Sequence, residues 1–193
     1  LSEPITVAEL AGISDLSTAY FARLFRQATG EAPHAFILSR RVARVQELLG
    51  ETTLDLATVA YRAGFATTQE AYDEAFRALF DALDTLERRL FGQRYLVGNM
   101  LTEADWRLFT TLLRFDAVYH GHFKCNLRRI VDYPNLSNYL RDLYQLRGVA
   151  ETVNFDHIKR HYYGSLKEIN PTGIVPLGPA LDLSVPHDRG RFG

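Results

Sequence analysis

Cysteine, methionine and tryptophan occur once each among 193 residues. A lone thiol, Cys125, cannot close an internal disulfide, which excludes a small secreted scaffold held by cross-links. No stretch approaches the roughly 20 consecutive apolar residues of a membrane-spanning helix, so no membrane partner is expected. Excess charge of one sign is also missing, with a formal net charge of −1. Residues 1–60 contain five arginines (Arg23, Arg26, Arg40, Arg41 and Arg44), no lysine and seven acids, and the remaining residues hold 17 bases against 16 acids. Neither part shows the basic surplus that advertises many nucleic-acid-binding domains. No charged-then-apolar leader is visible, so the cytoplasm is the expected compartment. An opening on Leu1 rather than methionine predicts that the start is missing or was cut.

What is present suits an ordered globular protein: 47% hydrophobic and 12% aromatic residues. No run alternates as a strand does, and the expected fold class is all-α. Val7 to Ala11 reads as a short helix. Asp15, Ser17 and Thr18 offer capping oxygens for a longer one with Tyr20, Phe21, Leu24 and Phe25 on its apolar side. Thr29-Gly30 ends that helix and Pro33 starts the next. This one runs to about Leu49 through Phe36, Ile37, Val45 and Leu48, and another begins near Leu54. Glu70 to Leu90 repeats apolar residues at helical spacing (Phe76, Leu79, Phe80, Leu83, Leu86). Thr102 and Asp105 form a capping box, with Leu101 and Trp106 as its hydrophobic staple. Helices are further expected over Pro134–Leu146 and from Val149 to about Tyr162. After Asn170, four prolines interleaved with glycines predict an extended tail.

A short helix, a tight turn and a second helix is the geometry that places a recognition helix in the major groove. The run Val7-Ala8-Glu9-Leu10-Ala11, then Leu16 to Phe25, then Gly30 and Pro33, resembles AraC/XylS-type regulators over roughly residues 4–66. Arg40-Arg41, Leu48-Leu49 and Leu54 through Val59-Ala60 to Gly64-Phe65 continue the likeness. The resemblance implies base-facing positions near Thr18, Ala19, Ala22 and Arg23, with Arg23 and Arg26 near phosphates. Alanines supply only methyl contacts, where base readout usually uses polar pairs. A second recognition helix would fall at Gln69-Glu70-Ala71-Tyr72-Asp73-Glu74, whose three carboxylates repel a polyanion. Weak DNA binding is the most that these residues imply.

The rest of the chain carries Tyr61 to Gln69, Phe115-Asp116-Ala117-Val118-Tyr119, His122-Phe123-Lys124-Cys125-Asn126 and Asp132-Tyr133-Pro134-Asn135-Leu136. It continues with Ala150-Glu151-Thr152, His157 to Tyr163 and Ile169-Asn170-Pro171-Thr172. These strings resemble the C-terminal helical domain of glutathionyl-hydroquinone reductases, omega-like (xi) glutathione transferases. The resemblance implies a helical bundle and glutathione as cosubstrate. It also implies a thioredoxin-like partner domain bearing a reactive cysteine in a Cys-Pro-Trp context, and quinol-side tyrosines at Tyr61, Tyr119 and Tyr162. A phenol suits that task, because its hydroxyl can donate to a quinol oxygen while its ring packs on the aromatic face. Leu166, where the family has histidine, and Arg147, where it has proline, depart from the pattern.

No Cys-Pro-Trp segment occurs in these 193 residues, so no complete set of catalytic residues is expected and glutathione is not expected to be bound by this chain alone. Cys125 reads as a buried, inert thiol. His157 and His161 share a helix face, as His34, His120, His122 and His187 do not, but no H-E-x-x-H arrangement completes a zinc set, and no metal is expected. The division falls at residues 1–60 (helix-turn-helix fragment) and 61–193 (transferase-type domain), with Ala60 to Phe65 fitting both families and no linker between them. The chain therefore reads as a reductase helical domain fused to a regulator fragment and inactive alone. The alternatives are a DNA-binding regulator with a transferase-like sensor or dimerisation domain, and an interaction scaffold whose helical domain associates through an apolar face with itself, as a homodimer, or with another protein.

Overall fold

A computed structural model describes residues 7–14, 16–33, 36 and 56–193. Asp15, His34, the expected helix through Ile37, Val45, Leu48 and Leu49, and the start near Leu54 lie outside them. Every regular element among the described residues is helical, and the isolated bridges Tyr95–Gly98 and Val97–Met100 are their β-type pairings. The fold class is all-α, as the periodicity predicts. No helix among these residues is long and apolar enough to cross a membrane. The chain divides into two units, Leu1–Glu47 and Leu48–Gly193.

In the first unit, α1 (Val7–Ile13) and α2 (Thr18–Thr29) are joined by a short turn. The Leu16 amide donates to the Ala11 carbonyl at 3.0 Å, and Ala11 is buried. Ser17 caps α2 by accepting the Tyr20 amide at 3.4 Å. Gly30 stops it at φ +80°, where its amide reaches the Arg26 carbonyl at 2.9 Å. The inward aromatics are Phe21 and Phe25, with Phe25 edge-on to Phe36 at 5.3 Å. Tyr20 and Leu24, expected on the same apolar side, are exposed instead. The Arg23 guanidinium lies 5.0 Å from the centre of the Tyr20 ring, a cation–π contact that suits a surface tyrosine.

The second unit begins with helical residues 56–64 (α3), which bury Leu56, Ala60 and Ala63. Helix α4 (Gln69–Phe91) is capped by Thr68, whose hydroxyl accepts the Ala71 amide at 3.2 Å. It turns Leu79, Phe80, Leu83, Leu86 and Leu90 inward, while Phe76, which the spacing marked with them, is only half-buried. Helix α5 (Glu103–Arg114) continues through a π-helical turn, Phe115–Tyr119, into α6 (His120–His122). Helix α7 (Pro134–Tyr144) and α8 (Phe155–Ser165) follow. The single helix expected from Val149 to Tyr162 is in fact a 3₁₀ turn, Ala150–Thr152, and then α8. Val153 is extended between them, and the Asn154 side chain starts α8 afresh by accepting the His157 amide at 2.9 Å.

Three polar devices tie these helices together. The Asp105 carboxylate is fully buried. One oxygen accepts the Thr102 amide and hydroxyl, each at 2.8 Å, which closes the capping box. The other accepts the Leu96 amide at 2.8 Å and the Tyr139 hydroxyl at 2.9 Å. The second device serves α7, whose N-cap residue Tyr133, just before the helix, supplies no side-chain capping bond. Glu87 on α4 does so across the interface, accepting the Asn135 and Leu136 amides at 2.8 Å each. The third is Arg189, in a 3₁₀ turn (Arg189–Phe192) that ends the otherwise extended tail. Its buried guanidinium donates to the Leu90 carbonyl in the last turn of α4 and to the Gln93 and Arg94 carbonyls in the loop beyond it.

Gly64 lies against Phe123. A Cβ at that position would stand 2.3 Å from the Phe123 Cδ1 atom, and the ring is fully buried. Replacing Gly64 with alanine is expected to cost about 1–3 kcal/mol by overpacking, despite alanine's better helix propensity. Gly92→Ala, at a site with open space around the added atom, should stay within about 0.5 kcal/mol of the parent. Asp105→Ala removes the acceptor of the Leu96 and Thr102 amides, leaves the Tyr139 hydroxyl only the main-chain carbonyl of residue 105 at 3.4 Å, and is expected to cost about 3 kcal/mol or more. Urea unfolding of the variants checks each value.

Candidate quinol-side tyrosine cluster

Three elements deliver the three tyrosines singled out in the sequence. Tyr61 sits on α3, Tyr119 ends the π-helical turn and Tyr162 lies on α8. The extra residue in the π turn resets the helical register and gives Tyr119 its own direction. The structure brings all three together. Tyr119 and Tyr162 meet hydroxyl to hydroxyl at 3.5 Å, with ring centres 5.9 Å apart. The Tyr61 ring centre is 6.1 Å from that of Tyr162. Tyr61 is half-buried, whereas Tyr119 and Tyr162 are buried. Tyr61 is therefore the most open member, and Tyr119 the most enclosed.

Phe123 is the hub of the cluster, and the sequence reading did not single it out. It stacks on Tyr119 at 5.3 Å and lies 4.9 Å from Tyr61 and 5.9 Å from Tyr162. A sharp turn aims it inward, with the amides of both Phe123 and Cys125 donating to the Tyr119 carbonyl at 3.2 and 3.1 Å. Lys124 takes φ +58° at its apex, and the Tyr72 hydroxyl holds the Lys124 carbonyl at 2.8 Å. The sequence signal for this role was the His122-Phe123-Lys124-Cys125-Asn126 string. Arg114 was also passed over, although its charge reaches all three phenols and favours their ionised forms.

Burial outweighs that charge. It is the leading cause that raises Tyr61 to about 12, helped by its hydrogen bond to Tyr162. Burial likewise raises Tyr162 to about 12 and pushes Tyr119 upward. At neutral pH all three phenols keep their protons, so the cluster can donate hydrogen bonds and cannot act as a base. Cys125 is fully buried behind the turn, and burial pushes its thiol up to about 12. A thiol held in that form is a poor nucleophile. Among the described residues no group of three His, Cys, Asp or Glu side chains could hold a metal ion. His122 is buried, with its ring centre 4.5 Å from that of Tyr163.

The residues expected to face DNA lie on α2. Thr18, Ala19, Arg23 and Arg26 are exposed and Ala22 is half-buried. The acidic stretch Gln69–Glu74, where a second recognition helix was expected, forms the opening turns of α4. Its side chains bond locally, Gln69 to Asp73 at 2.7 Å and Arg77 to Asp73 at 3.3 Å.

Residues 69–142 match the family model "Glutathione S-transferase, C-terminal domain", and residues 10–83 match "Helix-turn-helix domain", so the two overlap in the first turns of α4. The chain is 57% identical over 151 residues to the glutathionyl-hydroquinone reductase YqjG of Escherichia coli, covering 78% of this chain and 46% of that protein. It is 60% identical over 146 residues to the glutathionyl-hydroquinone reductase PcpF of Sphingobium chlorophenolicum, covering 76% and 44%. It thus spans less than half the length of these relatives. A glutathione-bound structure of the Escherichia coli protein superposes with a TM-score of 0.74 at 49% identity, over 91% of this chain and 59% of that one. A more distant likeness, 34% over 80 residues, covers 42% of this chain and 32% of the "Probable transcriptional regulator LumQ" of Photobacterium leiognathi. From about residue 61 onward the chain resembles the C-terminal helical domain of glutathionyl-hydroquinone reductases, and its N-terminal part resembles a helix-turn-helix domain of AraC type.

Proposed function

We propose that residues 61–193 form the quinol-binding half of a glutathionyl-hydroquinone reductase, fused to the helix-turn-helix fragment of residues 1–60. The observation that carries this reading is the convergence of Tyr61, Tyr119 and Tyr162 around Phe123, with Tyr119 and Tyr162 hydroxyls 3.5 Å apart. Protonated phenols can donate to a quinol oxygen, and the half-buried Tyr61 is the member through which a ring would be met. In the reductases this chain resembles, the step that follows needs a thiolate nucleophile. Cys125 does not supply one, because its thiol is enclosed and stays protonated. The 193-residue chain therefore binds the quinol without turning it over, and glutathione alone is not retained.

Titration with a glutathionyl-hydroquinone, followed by tyrosine fluorescence, is expected to show saturable binding. Tyr61→Phe should weaken it by about three- to tenfold, the value of one hydrogen bond. Unchanged affinity in Tyr61→Phe and Tyr162→Phe would remove the tyrosines from the site. Glutathione-dependent formation of free hydroquinone by the pure chain is expected to stay at background, and turnover above it would overturn the inactive reading.

A second reading, a DNA-binding regulator, draws on the helix–turn–helix geometry of α1 and α2 and on exposed Thr18, Ala19, Arg23 and Arg26. Two arginines on one helix permit few phosphate contacts, and such attachment is weak and salt-sensitive. A labelled duplex is expected to shift in a gel at about 50 mM salt and to be free at about 200 mM. Retention of one particular sequence at the higher salt would favour the regulator.

A further inference from the structure

A cleft of about 210 Å³ lies between α5, the π-helical turn, α7 and tail residues 179–183, and none of the three tyrosines lines it. Its apolar surface comes from Leu112, Leu113, Ile130 and Leu140. Ser137, Leu140 and Arg141 reach it from a single face of α7, at spacings of three and four. The tail wall is fixed in place, because the Gln145 side-chain amide donates to the Leu183 and Val185 carbonyls at 2.8 Å each.

Four charged residues line the cleft, and three of them have their needs met within the protein. Asp116 accepts the Ile130 amide at 2.6 Å and the Val131 amide at 3.2 Å. Arg129 pairs with Asp132 at 3.0 Å. Asp182 accepts the Ser184 amide at 2.9 Å and its hydroxyl at 2.5 Å. Arg141 differs. It pairs with no carboxylate among the described residues; its Nη2 donates to the Asn138 side chain at 2.8 Å, and its Nε is buried without a partner. Of the two arginines in the lining, Arg141 is thus the one whose charge no carboxylate among the described residues offsets in an ion pair.

We propose that this cleft binds a small amphipathic monocarboxylate, its acid group paired with Arg141 and its apolar body laid against the leucines. A guanidinium recognises a carboxylate through charge-assisted bonds, and an apolar cavity with few directing polar groups is the usual form of a small-molecule site. The two aspartates in the lining oppose a second negative charge, so a dianion such as phosphate or a dicarboxylate is disfavoured.

The ¹⁵N-labelled full chain titrated with phenylacetate, and separately with uncharged phenylacetamide, tests this. Saturable amide shifts with phenylacetate are expected at Leu140, Arg141 and Leu181. Arg141→Gln should weaken phenylacetate about tenfold and leave phenylacetamide unchanged. The acid-against-amide comparison on the unaltered chain stands by itself if that variant folds poorly. The proposal is overturned if the shifts do not saturate, if they centre on Tyr61 and Tyr162, if amide and acid bind alike, or if Arg141→Gln weakens both equally.

Discussion

Asp105 accepts hydrogen bonds from Leu96, Thr102 and Tyr139, so the loop after α4, the start of α5 and the body of α7 are fixed to one pair of oxygens. A buried carboxylate is costly unless its lone pairs are filled, and here the donors come from parts of the chain that must fold together to supply them. The arrangement is cooperative for that reason. With α5 placed, the π-helical turn that extends it carries Tyr119 to Tyr162, and the next turn carries Phe123 into the centre of the cluster. The geometry of the tyrosines is in this sense inherited from a cap two turns or more away.

The cluster and the thiol illustrate one environment acting on two kinds of acid. Enclosure raises phenol and thiol alike, yet the consequences differ. A protonated phenol remains a hydrogen-bond donor, which is what recognition of an oxygen-bearing ring requires. A protonated thiol loses the reactivity that sulfur chemistry requires. The tyrosines of the second unit therefore keep their hydrogen-bond donors at neutral pH, and Cys125 keeps its proton. The chain covers 46% and 44% of its relatives in Escherichia coli and Sphingobium chlorophenolicum.

Much of this was legible in the sequence because it is local. Helix positions followed from apolar spacing, as in α4, and the capping box at Thr102 and Asp105 was visible in four consecutive residues. The three tyrosines came from likeness rather than periodicity, since nothing about their spacing (61, 119 and 162) places them side by side. Devices that span the chain were invisible. Glu87 caps a helix some 48 residues away, and no rule links a mid-helix glutamate to that end. Leu24 and Tyr20 matched the helical stripe but faced outward, because an amphipathic pattern fixes a face without fixing how wide its covered part is. The break at Val153 was missed through Asn154, whose capping role was overlooked in a stretch otherwise suited to helix.

The fate of the tail depends on Arg189. Its guanidinium bonds the Leu90 carbonyl at the end of α4 and the Arg94 carbonyl in the loop after it, and lies 4.7 Å from the Phe192 ring centre, while Arg94 and Asn99 hold main-chain oxygens of Gly193 and Phe192. Segments without long regular elements ordinarily open independently of the core. Here the 3₁₀ turn Arg189–Phe192 and the end of α4 share bonds, so the opening of one exposes the other. Amide exchange in residues 189–193 would then track the opening of that end of α4 rather than the faster rate of a loose strand.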